Sequence, residues 1–149
     1  MKTLTKSLHK EMNHLHRLFL LLLILVSVSG SAQEATIRKS EIFIHKKSVL
    51  KFNKISLAEY SIRSSSNEEV INLQFKGLGT SCESDDFMTL YFINEKKIVN
   101  SENFDRIVGA GSKNMIKNFI NWLFSEKVLN ADGTINSHKI DDFAVKYGV

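Results

Sequence analysis

Proline is absent from the 149-residue chain, and cysteine occurs only once, as Cys82. No intramolecular disulfide can therefore staple the fold, and no proline-rich linker divides the chain. Three of the five histidines lie within the first 16 residues, so the rest of the chain has only Cys82, His45 and His138, fewer than the four ligands of a Cys/His zinc site. The fold must be stabilised by burial of apolar side chains, which make up 43% of the residues.

The first 32 residues have the pattern of a cleavable secretory signal peptide. An apolar run from Leu18 to Val28 is too short to span a bilayer, which takes about 20 apolar residues. Gly30 and Ala32 provide the small side chains that signal peptidase requires, so we expect cleavage before Gln33 and a periplasmic or secreted protein. The basic residues that precede the run are Lys2, Lys6, Lys10 and Arg17. Met12 begins a shorter segment of the same type, which leaves Met1 and Met12 as alternative starts.

Most of the net positive charge belongs to this leader. The whole chain carries 20 Lys and Arg against 16 Asp and Glu, whereas residues 33–149 carry 16 against 15, a net charge of +1. A nearly neutral domain lacks the strongly basic surface of nucleic-acid-binding proteins, so we expect no nucleic-acid partner. Removal of residues 1–32 would leave 117 residues without an internal repeat, which predicts a single domain at 33–149 with no stable membrane span after cleavage.

Two segments of the first half predict antiparallel strands. Residues 69–76 alternate apolar and polar side chains, the period-2 pattern of a half-exposed strand. Residues 87–94 are apolar on both faces, which is typical of a central strand. The NEKK sequence that follows predicts a turn into a short partner strand.

Two further segments are less regular. Residues 54–63 predict a strand, but the apolar positions change parity between Leu57 and Ala58, which indicates a bulge. Residues 41–52 are compatible with either strand or helix, and we favour strand.

The second half changes to helical spacing. Apolar residues recur every three or four positions in 112–129 and in 137–148, and a shorter helix is expected over 101–108. The predicted caps are Ser112 for the first helix and Asn136 or Ser137 for the last, which should end at Gly148. Strands followed by helices predict an α+β domain, an antiparallel meander of about three to five strands followed by two or three C-terminal helices packed on one face.

The sequence VLNADGTINSHK at 128–139 resembles a calcium-binding loop because Asp-Gly could occupy loop positions 5 and 6. Position 1 would then be Val128, which has no ligand atom in its side chain, and position 12 would be Lys139, where calcium needs a bidentate carboxylate. The four intervening ligand positions hold Asn130, Asp132, Thr134 and Asn136. We therefore expect no metal here, and interpret Asp-Gly as a turn with a positive-φ glycine and Ile135 as an anchor to the core.

Residues 109–114, GAGSKN, resemble a phosphate loop only superficially. The segment lacks the third glycine of a dinucleotide-binding loop, and its Gly-Ser-Lys order differs from the Gly-Lys-Ser/Thr order of a P-loop. The predicted element before it is a helix, whereas phosphate loops follow a strand. A flexible hinge is the better interpretation, and no cofactor is expected.

Cys82 is the single candidate nucleophile, and it lies in the polar segment GLGTSCESDD at 77–86. Neighbouring carboxylates would raise a thiol pKa, whereas activation requires a lower one. Those carboxylates belong to Glu83, Asp85 and Asp86. Only His45 and His138 could act as a base after cleavage, and neither lies in a catalytic motif. A Cys82 hydrolase is therefore a minor alternative, and no catalytic residue is assigned.

Adjacent carboxylates and clustered aromatics each have a structural interpretation. The carboxylate pairs, Glu68 and Glu69, Asp85 and Asp86, and Asp141 and Asp142, are neighbours in sequence, so their side chains should diverge as a solvated surface. The aromatics are interpreted as core: Phe87, Tyr91, Phe92, Phe119, Trp122, Phe124, Phe143 and Tyr147. A ligand cavity between the sheet and the helices is an alternative that spacing alone does not decide.

Charge is distributed unevenly along the chain. Residues 37–63 carry a net charge of +5 and residues 64–105 carry −5, so the two regions either pair with each other or present a basic edge. Such an edge, made of Lys46, Lys47, Lys51 and Lys54, would meet an anionic envelope component or an acidic partner protein. The sequence thus predicts an exported, non-catalytic binding protein, with a small apolar-ligand carrier as the first alternative.

Overall fold

The sheet is a seven-stranded antiparallel meander in which every strand pairs with its neighbours in sequence. A computed structural model describes residues 34–77 and 86–149. The strands are β1 (Thr36–Arg38), β2 (Glu41–Ile44), β3 (Lys47–Lys54), β4 (Glu59–Ser64), β5 (Glu69–Lys76), β6 (Phe87–Phe92) and β7 (Lys97–Ser101). A short 3-10 helix (Phe104–Arg106) and two α-helices follow, α1 (Gly111–Ser125) and α2 (Ser137–Tyr147). The predicted α+β class, with a sheet followed by C-terminal helices, is confirmed.

The strand count of three to five was too low, because the segment favoured as one strand at 41–52 is a hairpin. His45 and Lys46 form its two-residue turn with φ values of 49° and 67°. Positive φ at both central residues suits the right-handed twist of a hairpin but usually requires Gly, Asn or Asp. β1 was not predicted because it has only three residues.

The predicted strand at 54–63 begins five residues later than expected. Lys54 ends β3, and residues 55–58 form the turn before β4. The parity change at Leu57 is therefore a turn and not a bulge. An irregularity does occur in β4 pairing, but between Ile62 and Arg63.

One face of the sheet is apolar and carries both helices. Paired side chains on this face, such as Ile62, Ile71 and Phe92, are almost fully buried. Phe119 and Leu123 of α1 and Phe143 of α2 have no more than 1% exposure, so side chains fill the space between sheet and helices. All the aromatics interpreted as core are buried except two of β6, which are half-exposed: Phe87 and Tyr91.

Both predicted α-helices are confirmed, with changes at their ends. α1 ends at Ser125, and its N-cap is Ala110, not Ser112. The Ser112 hydroxyl lies 3.0 Å from the Tyr60 hydroxyl on β4. The N-cap of α2 is Asn136. The helix expected over 101–108 is only the single 3-10 turn.

Hydrogen bonds join the last residues of α2 to Glu126, the residue that follows α1. The Lys146 ammonium donates to both carboxylate oxygens of Glu126 at 2.9 Å, and the Tyr147 hydroxyl donates to the same carboxylate. Partial burial would raise the pKa of Glu126, but the hydrogen bonds from Tyr147 and Lys146 outweigh it and lower that pKa. We call Glu126, Lys146 and Tyr147 the C-terminal latch.

The beginning of the domain is tied to the same helix. The Ala35 N–H donates to Asn121 Oδ1 at 2.7 Å, and Glu34 forms an ion pair with Lys117. Residues Gln33–Val149 form one compact unit. Within residues 34–77 and 86–149, each helix is too short or too polar to span a bilayer.

Candidate functional site

The loop between the two helices is closed by its own hydrogen bonds. The Asp132 carboxylate accepts from the Thr134 hydroxyl at 2.6 Å and from the Thr134 N–H at 2.9 Å. These bonds, with a smaller contribution from the charge of Lys47, lower the pKa of Asp132. Leu129 and Ile135 form an antiparallel bridge below the turn, and Ile135 packs against the core. Asp132 thus acts as a turn residue, in agreement with the sequence interpretation.

No group of three or more metal-ligating side chains is found within residues 34–77 and 86–149. Asp132 is the only carboxylate within 128–139, and its Oδ1 accepts both Thr134 contacts. The expectation that the loop holds no metal stays a prediction.

An apolar groove lies at the end of β5, where the sheet meets the start of α1. Its volume is about 300 Å³. We define the groove by its lining residues: Leu57, Phe75, Phe104, Ile107, Val108, Gly109 and Met115. These come from four places in the chain, the β3–β4 turn, β5, the 3-10 segment and the first turns of α1.

Aromatic packing fixes the floor of the groove. The Phe75 ring stacks on Phe104 with centroids 6.1 Å apart, and the edge of Tyr60 meets Phe75 at 6.2 Å. The segment before α1 is held close to that helix because Asn118 Nδ2 donates to the Val108 carbonyl at 2.6 Å. A Cβ atom at Gly109 would lie 3.0 Å from Asn114, so glycine permits this close approach.

The rim of the groove is exposed although it is apolar. Leu57 is 86% exposed and Val108 is 70% exposed, and Ile55 in the same turn is 56% exposed. Single exposed apolar residues are common, but a group of them beside a concave apolar surface is typical of a binding site. The parity change of the apolar pattern at Leu57 is the feature of the sequence that falls in this exposed turn.

A polar cavity of about 340 Å³ lies at the opposite end of β5. It is bounded by the β4–β5 turn, the β6–β7 turn and the α1–α2 loop, with carboxylates from Glu68, Glu95 and Asp132. Asp132 is already bonded to Thr134, and these carboxylates do not form a metal-ligating group.

The candidate catalytic residues are not brought together in the part of the chain that the structure describes. His45 lies in the β2–β3 turn and His138 at the start of α2, and both are exposed. Cys82, Glu83 and Asp85 lie outside the described residues. Asp141 pairs with Lys97 and Asp142 with Lys139, so the two adjacent carboxylates face different partners.

The four lysines proposed as a basic edge all lie in or beside β3, which is an internal strand between β2 and β4. Lys46 lies in the turn before β3, Lys47 begins the strand and Lys54 ends it, with its ammonium 6.0 Å from the Tyr60 ring centroid. Lys51 lies between them, on the face of the sheet opposite the core. Within the described residues, no ion pair joins region 37–63 to region 64–105.

Residues 109–114 follow the 3-10 turn and lead into α1, so no strand precedes them. Gly111 has a φ of 80° at the first position of the helix. Asn114 Nδ2 donates to the Ala110 carbonyl at 2.9 Å. The segment is thus the start of a helix, and its Gly109 lines the groove.

Comparisons with protein-family models, curated proteins and solved structures found no match to this chain.

Proposed function

We propose that the protein is an exported, non-catalytic binding protein whose apolar groove receives an apolar group of its ligand. One observation carries the proposal: the lining of the groove includes Leu57 and Val108, two apolar side chains that are largely exposed. Exposed apolar surface costs free energy in water, and covering it with an apolar ligand recovers that cost.

The size and lining of the groove limit the ligand. A volume of about 300 Å³ is at the lower end of small-molecule sites. No charged side chain lines the groove, so recognition rests on shape and apolar contact. A short acyl chain or a single ring fits these conditions. The ligand of this proposal thus enters at the end of the sheet, since side chains fill the space between sheet and helices.

The proposal is of binding without catalysis because neither His45 nor His138 lines the groove, and the described lining has no nucleophile. The Cys82 hydrolase remains the alternative from another class. Export is part of the proposal and rests on the N-terminal sequence pattern.

Calorimetric titration with octanoate and decanoate tests the groove. Leu57→Ser should weaken binding roughly tenfold, because it removes about 1.4 kcal/mol or more of apolar contact. Val145→Ser is the matched control, since Val145 is 90% exposed on α2 and lies outside the groove. Both variants should melt within a few degrees of the parent, because both side chains are largely exposed.

The proposal fails if the parent binds neither acid, or if Leu57→Ser and Val145→Ser bind as the parent does. Native mass spectrometry of the purified parent gives a second measurement, because a co-purified apolar molecule should be lost from Leu57→Ser and kept by Val145→Ser.

A further inference from the structure

A row of charged residues crosses the face of the sheet opposite the core. Directly paired residues of neighbouring strands share a face, and the pairs here are Arg38 with Glu41, Glu41 with Lys51, Lys51 with Arg63, and Arg63 with Glu69. We call these five residues the charged row. Their neighbours along each strand, such as Ile42, Leu50 and Ile62, point into the core.

The sign of the charge alternates along the row except at one step. Lys51 and Arg63 are like charges in directly opposed positions, an arrangement that destabilises a sheet. A break in an otherwise regular local pattern is typical of a functional position.

Glu41 lies opposite Lys51 and Glu69 opposite Arg63, but neither cation forms an ion pair with a described carboxylate. Arg63 donates from Nε to the Ser61 hydroxyl at 3.2 Å and from Nη1 to the Asn67 carbonyl at 3.1 Å, and both acceptors are uncharged. The Glu69 carboxylate opposite accepts from Asn72 instead. The Lys51 ammonium forms no hydrogen bond or ion pair within residues 34–77 and 86–149.

We propose that Lys51 and Arg63 together bind a phosphate-type oxyanion on this face of the sheet. The guanidinium is held in place by its two neutral contacts, and its Nη2 donors remain for a ligand. A guanidinium offers parallel donors to a tetrahedral oxyanion, and the lysine adds a point charge beside it. A doubly charged phosphate group compensates both cations, whereas one carboxylate compensates only one.

Only one of the four lysines of the basic edge expected from the sequence belongs to this proposed site. Lys51 is the one whose paired neighbour is another cation. Lys46 and Lys47 lie at one end of β3 and Lys54 at the other, and none of them is paired with Arg63. The proposal is independent of the apolar groove.

The test is calorimetric titration of inorganic phosphate at low ionic strength, with sodium chloride at equal ionic strength as the reference. Lys51→Gln and Arg63→Gln should each weaken phosphate binding roughly tenfold or more, since each removes a charge-assisted contact. Lys76→Gln is the control, because it makes the same charge change on the same face at a residue paired with Phe87 and not with a cation. This variant should bind phosphate as the parent does. Lys51→Arg keeps the cation and should also keep binding.

Thermal stability distinguishes a site from a structural contact. Without phosphate, Lys51→Gln should melt close to the parent, because it removes both the like-charge pair with Arg63 and the opposite-charge pair with Glu41. Added phosphate should raise the melting temperature of the parent more than that of Lys51→Gln. Phosphate stabilises every protein to some extent, and comparing the two proteins cancels that general effect. Equal phosphate responses in the two proteins would overturn the proposal, as would a response that chloride reproduces.

Co-sedimentation identifies the source of the phosphate group. Vesicles of phosphatidylcholine containing phosphatidate should retain the parent but not Lys51→Gln if the group belongs to a lipid headgroup. Phosphate binding without vesicle binding indicates a soluble phosphate ligand. Binding of neither probe by the parent rejects the site.

Discussion

Gly133 is the residue that lets the α1–α2 loop pack against the sheet. Its φ is 88°, and a Cβ atom there would lie 3.1 Å from the Val49 carbonyl oxygen and 3.3 Å from the Leu50 side chain. Backbone strain and crowding would therefore act together on any larger residue. Gly111 has a similar φ of 80°, but a Cβ atom there meets nothing within 4 Å.

Gly133→Ala should lower the free energy of unfolding by more than Gly111→Ala does. The left-handed conformation costs an alanine about 1 kcal/mol at either position, and contact with β3 adds to that cost only at Gly133. Urea denaturation of both variants measures the difference. Equal losses would show that the loop can move away from β3.

At the scale of elements, the C-terminal latch joins the end of α2 to the end of α1. The Glu126 side chain is 20% exposed, so its bonds are partly shielded from water. Its pKa is lowered in the folded protein, and its contribution to stability is therefore complete above the unfolded value, near 4.5, and lost as the pH falls through the folded value.

Glu126→Gln should reduce stability by about 1 kcal/mol at neutral pH, since it removes a charge-assisted contact but keeps an acceptor. The difference from the parent should shrink as the pH falls below about 4.5. Denaturation over an acid pH series measures it. Glu102→Gln is the control, because Glu102 is exposed and has no ion pair among the described residues. If Glu126→Gln loses the same free energy of unfolding at every pH, the charge of Glu126 does not have the proposed role.

The helices could be predicted closely because each buries one apolar stripe, whereas the strands could be predicted only where a recognised turn separates them. His45 and Lys46 form a tight hairpin turn without glycine or asparagine. Segment 41–52 therefore has no turn signal in its sequence, and its two strands were predicted as one. The groove could not be predicted for a different reason. A hydrophobic pattern in the sequence predicts that leucine is buried, whereas Leu57 is exposed. The groove beside it forms only when four segments that are distant in sequence come together.

The whole molecule is expected to be processed before it functions. The exported protein should begin at Gln33, because Gly30 and Ala32 match the small-residue pattern expected at a signal-peptidase cleavage site. Intact mass of the protein recovered from the exported fraction measures the start. A mass that retains Leu18 to Val28 would contradict the signal-peptide interpretation and favour an anchored protein.

The neighbour-by-neighbour order of the strands has a consequence for folding. Each hairpin closes over a short stretch of chain, so the loop-closure cost of adding the next strand is small and the sheet can grow one strand at a time. The tie between Ala35 and Asn121 spans 86 residues and requires α1 to be present. The first strand is thus secured only once α1 has formed, and its amides should exchange with solvent sooner than those of β4 and β5 in the middle of the sheet.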